Sequence, residues 1–343
     1  MTPESVGSVE SITGETESQP PQEPGRRAPQ RRTLRAIGVR TLGIGLFLAV
    51  VLVYFTVSTS NFLTLSNVAE ILSGAAVLGI VAIGQTGVII SGGFDLSVAG
   101  VLPLACVVFV KFSNDGASLP VALIETVAIG AAVGIVNAAL IVKAGINPLI
   151  VTLASMSVAG GAAYSITNGT TLALTKIANG NLGNLAVGSL PWYLFVFVGL
   201  ALLAAVIMRF TVFGRIIYAL GGSREASILA GIRVNVAVIV VYAASGALAA
   251  FAGVVTASQI LAGSAGVGST TALMSVAAVV LGGASLTGGT GGIIGTIGGV
   301  LVLGCLSNGL ALMQVQSFYV QIITGVALIV AVMFSRLSQV LTR

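Results

Sequence analysis

The chain contains no histidine. That removes the usual general base near neutral pH and the commonest metal ligand. Cysteine is nearly absent: Cys106 and Cys305 are the only two, far apart and each inside an apolar run. They read as buried small hydrophobes, which excludes a disulfide framework or a cysteine-rich metal site. Charge is scarce as well. Only 7% of the 343 residues are Asp, Glu, Lys or Arg, against about 25% in a soluble domain. No two carboxylates sit at helical spacing within a span, which argues against an intramembrane enzyme. The net charge of +5 comes from arginines flanking apolar segments, so nucleic acid is not an expected partner.

Apolar residues make up 56% of the chain, and there are 45 glycines. A water-soluble core does not need this much apolar sequence, so lipid is the solvent for most of it. In that setting glycine, well above its average of about 7%, predicts helices packed closely through small residues. A membrane span takes about 20 apolar residues. The sequence divides into ten such runs, roughly 37–57, 68–90, 96–111, 119–142, 148–167, 191–208, 234–257, 271–287, 293–313 and 318–335. The predicted fold is an all-α polytopic bundle of about ten transmembrane helices.

Orientation follows from the basic residues. With the N-terminus inside, Arg26, Arg27, Arg31, Arg32, Arg35, Arg40, Lys143, Arg209, Arg215, Arg224, Arg233, Arg336 and Arg343 are cytoplasmic, and only Lys111 and Lys176 are outside. This asymmetry predicts ten spans in the cell membrane with both termini cytoplasmic. Residues 1–36 hold five glutamates and then an arginine cluster among Pro, Ser, Thr and Gln. They read as a disordered cytoplasmic tail, not a signal peptide, ahead of a membrane domain over 37–335 and a short cytoplasmic end over 336–343. The tail's basic end could rest on anionic lipid headgroups, but a solvated tail whose arginines fix orientation is the preferred reading. The outside loops are short. The longest, about 168–190, is too small to capture a ligand by itself.

The stretch from Arg209 to Arg233 is a polar island between two apolar spans. Its centre predicts a short helix held out into the cytoplasm. Ser223 caps it, Arg224, Glu225 and Ala226 form its first turn, and Gly231 ends it. Such a helix is offered to a partner. A weak internal repeat pairs Gly92-Gly93-Phe94-Asp95-Leu96-Ser97 with Gly282-Gly283-Ala284-Ser285-Leu286-Thr287, and broken helices in internal repeats are a transporter habit. Asp95 reads first as a cap on the third span near the cytoplasmic surface, and alternatively as part of a glycine break that dips into the membrane. Glu125 lies inside a span near its outer end, and Glu70 reads as a first-turn dipole partner. Gly291, Gly295 and Gly299 predict one packed helix face, as do Gly130 and Gly134. The glycine-rich run 288–296 lacks the lysine of a phosphate loop, so no nucleotide site is encoded.

Four ordered segments carry a resemblance: GQTGVIISGGFDLSVAG (84–100), NPLIVTLASMSVAGGAAYSITNG (147–169), FGRIIYALGGSREASILAGIRV (213–234) and VVLGGASLTGGTGGIIGTIGGVLVLGCLSNGL (279–310). Together they resemble the permease subunits of ABC importers of the ribose, xylose and galactose type. The resemblance covers about residues 40–335. Departures from the family pattern are Phe94, Ala99, Gly160 and Thr290. It implies a permease pair, identical or related, forming the pathway for a monosaccharide or similar polar solute. It implies ATP-binding cassette subunits beneath and an extracytoplasmic solute-binding protein above. Gly222, Ser223, Arg224, Glu225, Ala226 and Gly231 match the helix that couples to the ATPase, and Gly92, Gly93, Asp95 and Ser97 match the loop motif. No cofactor or metal is expected on this chain; ATP and Mg belong to the partner ATPase. Gln85, Asn137 and Asn308 are candidate pathway groups, with interhelical hydrogen bonding as the equal alternative. The competing function is an ion-coupled carrier or channel acting without an ATPase, for which Glu125 is the available acid.

Overall fold

The computed structural model describes residues 31–175, 186–187 and 190–316, together with helical positions at 318–320, 322, 323, 325, 326 and 329; side chains are described from residue 43 onward except at 186–187. Residues 1–30, most of the expected outer loop 168–190, the far part of the expected span 318–335 and residues 336–343 lie outside the described residues. The helices are α1 (Arg31–Ser58), α2 (Leu65–Ile90), α3 (Val98–Asn114), α4 (Leu119–Lys143), α5 (Pro148–Thr167), α6 (Trp192–Phe210), α7 (Val212–Gly222), α8 (Arg224–Leu229), α9 (Val234–Ile260), α10 (Thr271–Leu281) and α11 (Ile293–Leu312). Four two-residue strands complete the order: β1 (Leu172–Ala173), β2 (Ala186–Val187), β3 (Leu190–Pro191) and β4 (Ala262–Gly263). The strands pair antiparallel, β1 with β4 and β2 with β3.

Among the described residues, six helices are long and apolar enough to cross a membrane: α2, α4, α5, α6, α9 and α11. The apolar parts of α1, α3 and α10 are shorter. The molecule is an all-α membrane protein. Helix α1 starts at Arg31, six residues before the first expected span. Helix α2 starts at Leu65, with Thr64 accepting from the Asn67 N–H, so Glu70 falls in the second turn and is not a first-turn partner. The expected span 271–287 stops early. Helix α10 closes at Leu281 because Gly283 turns the chain at φ +88°, and an irregular loop runs to Gly292. Gly291 lies in that loop at φ +138°, off the helical face assigned to it.

Helix α9 is the hub and packs on α2, α3 and α4. Its contact with α4 depends on glycine. A Cβ on Gly130 would lie 2.3 Å from Gly246 O, and one on Gly134 would lie 2.1 Å from Tyr242 O. Backbones this close maximise dispersion contact, which drives helix association where lipid removes the hydrophobic term. Gly295 and Gly299 serve α11 the same way, each a Cβ away from collision with Gly282 O and Ala278 O. Cys106 and Cys305 are free and buried.

The long helices run alternately between two ends of the bundle, while the short α7 and α8 stay at one end. At one end lie the loops 91–97 and 282–292, with Lys143, Arg209, Arg215, Arg224 and Arg233. At the other, Asn114 Nδ2 donates to Ala173 O (2.9 Å) and Asn114 Oδ1 accepts from Thr175 N–H (2.9 Å). Lys111 lies at that second end, 3.2 Å from Asp115.

Candidate functional site

The polar island folds as its local chemistry dictates. Ser223 Oγ accepts from the Ala226 N–H (3.1 Å) and caps α8, and it donates to Glu225 Oε2 (3.2 Å). The helix ends where Gly231 takes φ +76°. There the Ile232 N–H reaches back to Ser227 O (3.0 Å) and the Gly231 N–H to Ile228 O (2.9 Å), a left-handed C-terminal cap. Sequence reasoning missed two features. A separate 11-residue helix, α7, precedes α8, its N-terminus capped by Thr211 accepting from the Gly214 N–H (3.2 Å). Its signal was the Thr-x-x-Gly start, hidden by the attention given to the arginines. The second is apolar. Ile228 and Leu229 are 57% and 89% exposed, while Ser227 beside them is buried. A six-residue helix that shows two aliphatics at the arginine-rich end has the form of a docking knob.

The segment α7–α8 is tied to both loops of the internal repeat. Gly221 packs so closely that a Cβ there would lie 1.8 Å from Ile90 O and 2.4 Å from Gly289 N. The Gly289 N–H donates to the same Ile90 O (2.9 Å). Gly288 lies against Gly92 and Gly221. Tyr218 of α7 donates to Gly291 O (2.9 Å), and burial pushes its hydroxyl above its ordinary pKa. The helical Gly221 and the glycine turns at Gly92 and Gly288–Gly289 thus meet at one joint immediately before α8. Gly221 touches the end of α2 and the 282–292 loop through backbone atoms, with no side chain between.

The two repeat loops share turn chemistry. Asp95 Oδ1 accepts from the Ser97 N–H (3.1 Å), and Ser285 Oγ accepts from the Thr287 N–H (3.3 Å). The helix-ending glycines, however, are Gly92 and Gly283, at φ +85° and +88°. The first loop therefore holds one more residue between its turn glycine and its polar turn than the second, a slip the paired sequences concealed.

Asp95 is not a surface cap. It is fully buried, because the glycine break folds the loop inward under α9. Its Oδ1 also accepts from Ser97 Oγ (2.5 Å) and its Oδ2 from Ser245 Oγ (2.7 Å). Asn137 Nδ2 donates to Ser97 Oγ (2.9 Å), and Ser155 Oγ donates to Asn137 Oδ1. Tyr242 donates to Phe94 O (3.0 Å), an approach that a Cβ on Gly93, 2.6 Å from that hydroxyl, would block. One network thus joins the α2–α3 loop to α4, α5 and α9, and it gathers the loop motif and Asn137. The other two candidate pathway groups lie elsewhere. Asn308 exchanges two 3.0 Å hydrogen bonds with Asn67. Gln85 is fully buried, with neither amide atom paired to a protein group. Glu125 is exposed in the second turn of α4. A crevice of about 310 Å³ opens between α2, α6, α7 and α9. Its lining, with Leu203, Met208, Phe213 and Leu248, offers nothing to a polar solute.

A family model described as the permease component of branched-chain amino acid transport systems matches residues 67–332. The chain belongs to this permease family. Among curated proteins, the permease is 36% identical over 297 residues to the ribose import permease of Escherichia coli K12, covering 85% of this chain and 92% of that one. It is 33% identical to an L-arabinose ABC transporter permease of Azospirillum brasilense, covering 86% and 87% of the two chains. It is 29% identical to the xylose transport permease of Haemophilus influenzae, covering 87% and 96%. No solved structure matches the chain.

Proposed function

We propose that the permease is the membrane subunit of an ATP-driven importer for a monosaccharide or a similar polar small molecule. The observation that carries this reading is α8: a capped helix at the arginine-rich end, exposing Ile228 and Leu229 and fastened through Gly221 to both repeat loops. A carrier working alone has no use for such a part. The printed names of the relatives, import and transport permeases for ribose, arabinose and xylose, support the solute class.

The arrangement has ten spans, the tenth running from about residue 318, in the cell membrane. Both termini lie on the arginine-rich side, which is cytoplasmic by the positive-inside tendency. Two permease copies enclose the pathway, and an extracytoplasmic binding protein delivers the solute. ATP and Mg sit on separate cassette subunits, whose groove receives α8. Closure of the ATPase pair draws the two α8 helices together. The joint at Gly221 passes that displacement to the end of α2 and to the loop that leads into α11, shifting the pair between inward-open and outward-open packings.

Gentle purification of the tagged chain with identification of co-purifying proteins tests the assembly; a chain that emerges alone defeats it. Glu225→Arg tests the coupling helix. The variant inserts in the membrane and loses uptake, and normal uptake would sink the assignment.

A further inference from the structure

We propose that the outer half of the exposed face of α5, with the irregular segment between β4 and α10, forms a wall of the solute pathway shaped for a neutral polyhydroxyl molecule. This rests on the transport function proposed above and identifies where in the fold the solute travels.

Lipid-facing helices of this protein have an evident composition. The exposed residues of α6 include Phe195, Val198, Leu202, Leu203, Val206 and Phe210. Helix α5 differs. At about 100° per residue, Ser157, Gly161, Tyr164 and Ser165 share one face, and all are exposed. Tyr164 is 52% exposed, and a Cβ on Gly161 would meet nothing within 4 Å. Ser157 Oγ donates to Leu153 O (3.2 Å) and Val158 beside it is apolar and exposed, but the Tyr164 and Ser165 hydroxyls have no partner among the described residues, and an unpaired hydroxyl in hydrocarbon costs several kcal/mol. Toward the arginine-rich end the same face turns apolar, with Ile150, Leu153 and Ala154 exposed.

The second observation is independent of α5. The chain from Ser264 to Thr270 is not helical, yet it runs deep. A Cβ on Gly263 would lie 3.0 Å from Val107 Cα, and one on Gly268 would lie 2.8 Å from Leu102 Cδ2. Leu102 is twelve residues below the outer end of α3 at Asn114, about 18 Å at 1.5 Å per residue, in a hydrocarbon layer about 30 Å thick. Its hydrogen bonds are those of turns: the Gly266 N–H to Ser264 Oγ (3.3 Å) and the Thr271 N–H to Gly268 O (2.9 Å). Irregular backbone at this depth is tolerated only when buried in protein or lining a watery cavity. Gly266 and Ser269 are exposed, so they line one.

The two surfaces are continuous, because a Cβ on Gly266 would lie 3.9 Å from the Tyr164 hydroxyl. Ser157, Tyr164, Ser165, Ser264 and Ser269 carry no charge at neutral pH. Their hydroxyls both donate and accept, which matches the alternating hydroxyls of a sugar, and the Tyr164 ring offers an apolar flank to its C–H face. An ion finds no counter-charge here. The polar part of the wall thus lies on its outer half, above the apolar Ile150, Leu153 and Ala154.

The test uses the full chain with its native partners in cells. Single variants Ser157→Cys and Ser269→Cys, with Leu202→Cys as the lipid-facing control, are exposed to a charged, membrane-impermeant thiosulfonate. The native Cys106 and Cys305 are buried and stay silent. Because the thiolate is the reacting form, the wall positions react about tenfold or more faster than the control, and their modification blocks uptake. Reaction as slow as Leu202→Cys places the face in lipid and overturns the proposal. Spontaneous cross-linking between two copies through Ser157→Cys, with no reagent access, makes it a packed subunit contact and overturns it equally. Co-purification of the ATPase with each variant reports on the importer function separately.

Discussion

Gly221 and Gly222 are neighbours at the end of α7, and the structure assigns them opposite sensitivities to the same change. A methyl group on Gly221 would sit 1.8 Å from Ile90 O and 2.4 Å from Gly289 N, while one on Gly222 would meet nothing within 4 Å. Ordinary contact begins near 3.4 Å, so Gly221→Ala demands about 1.6 Å of retreat from backbone that cannot rotate away. Overpacking of this kind costs about 1–3 kcal/mol, and backbone-only obstacles put it near the upper end. Both substitutions gain the same helix propensity, about 1 kcal/mol at most, so that gain cancels in the comparison. Thermal unfolding of the purified complex in detergent should therefore separate the two variants by about 2–3 kcal/mol, with Gly222→Ala at or above the parent. The retreat also strains the Gly289 N–H to Ile90 O bond, so Gly221→Ala should lose uptake relative to ATP hydrolysed. Equal melting of the two variants, within about 0.5 kcal/mol, would refute the joint.

Asp95→Ala strands three buried donors, from the Ser97 N–H and the Ser97 and Ser245 hydroxyls, at about 1–3 kcal/mol each; Asp95→Asn keeps one acceptor oxygen and should melt measurably higher. Asn67→Ala and Asn308→Ala break a reciprocal amide pair, and a double-mutant cycle in thermal unfolding should return a coupling of about 1 kcal/mol. Ser223→Ala removes the cap of α8, should cost about 1 kcal/mol locally, and should weaken binding of the purified ATPase subunit. Leu229→Glu puts charge on the docking knob and should abolish that binding without lowering the melting temperature, because nothing in the permease covers Leu229.

The short capped helix α8 was legible in the sequence because everything that makes it is local. Ser223 and Gly231 act on residues within one turn, and the arginines act through the membrane's polarity. The candidate pathway groups were less legible. Gln85, Asn137 and Asn308 were chosen as polar residues within spans, but period alone does not say which face another helix covers. The structure puts Asn137 in the Asp95 network, pairs Asn308 with Asn67 and leaves Gln85 buried without a protein partner. The hydroxyls of α5 were passed over because Ser and Tyr are unremarkable in a span until their exposure is known. Asp95 was misjudged for a related reason. A carboxylate after two glycines looks like a surface cap, and only the inward fold of that loop buries it.

The sequence by itself determined the class of this protein. Composition and run length required a membrane, the placement of arginine favoured one orientation, and capping residues fixed a short helix between two spans. These are properties of neighbours in the chain and of its solvent. Tertiary structure decided which of two adjacent glycines is tightly packed, which polar residues pair across 241 positions as Asn67 and Asn308 do, and which hydroxyls of α5 are left exposed. Those depend on backbones meeting at distances of a few ångströms, and contact between segments remote in sequence leaves no local period from which to read it.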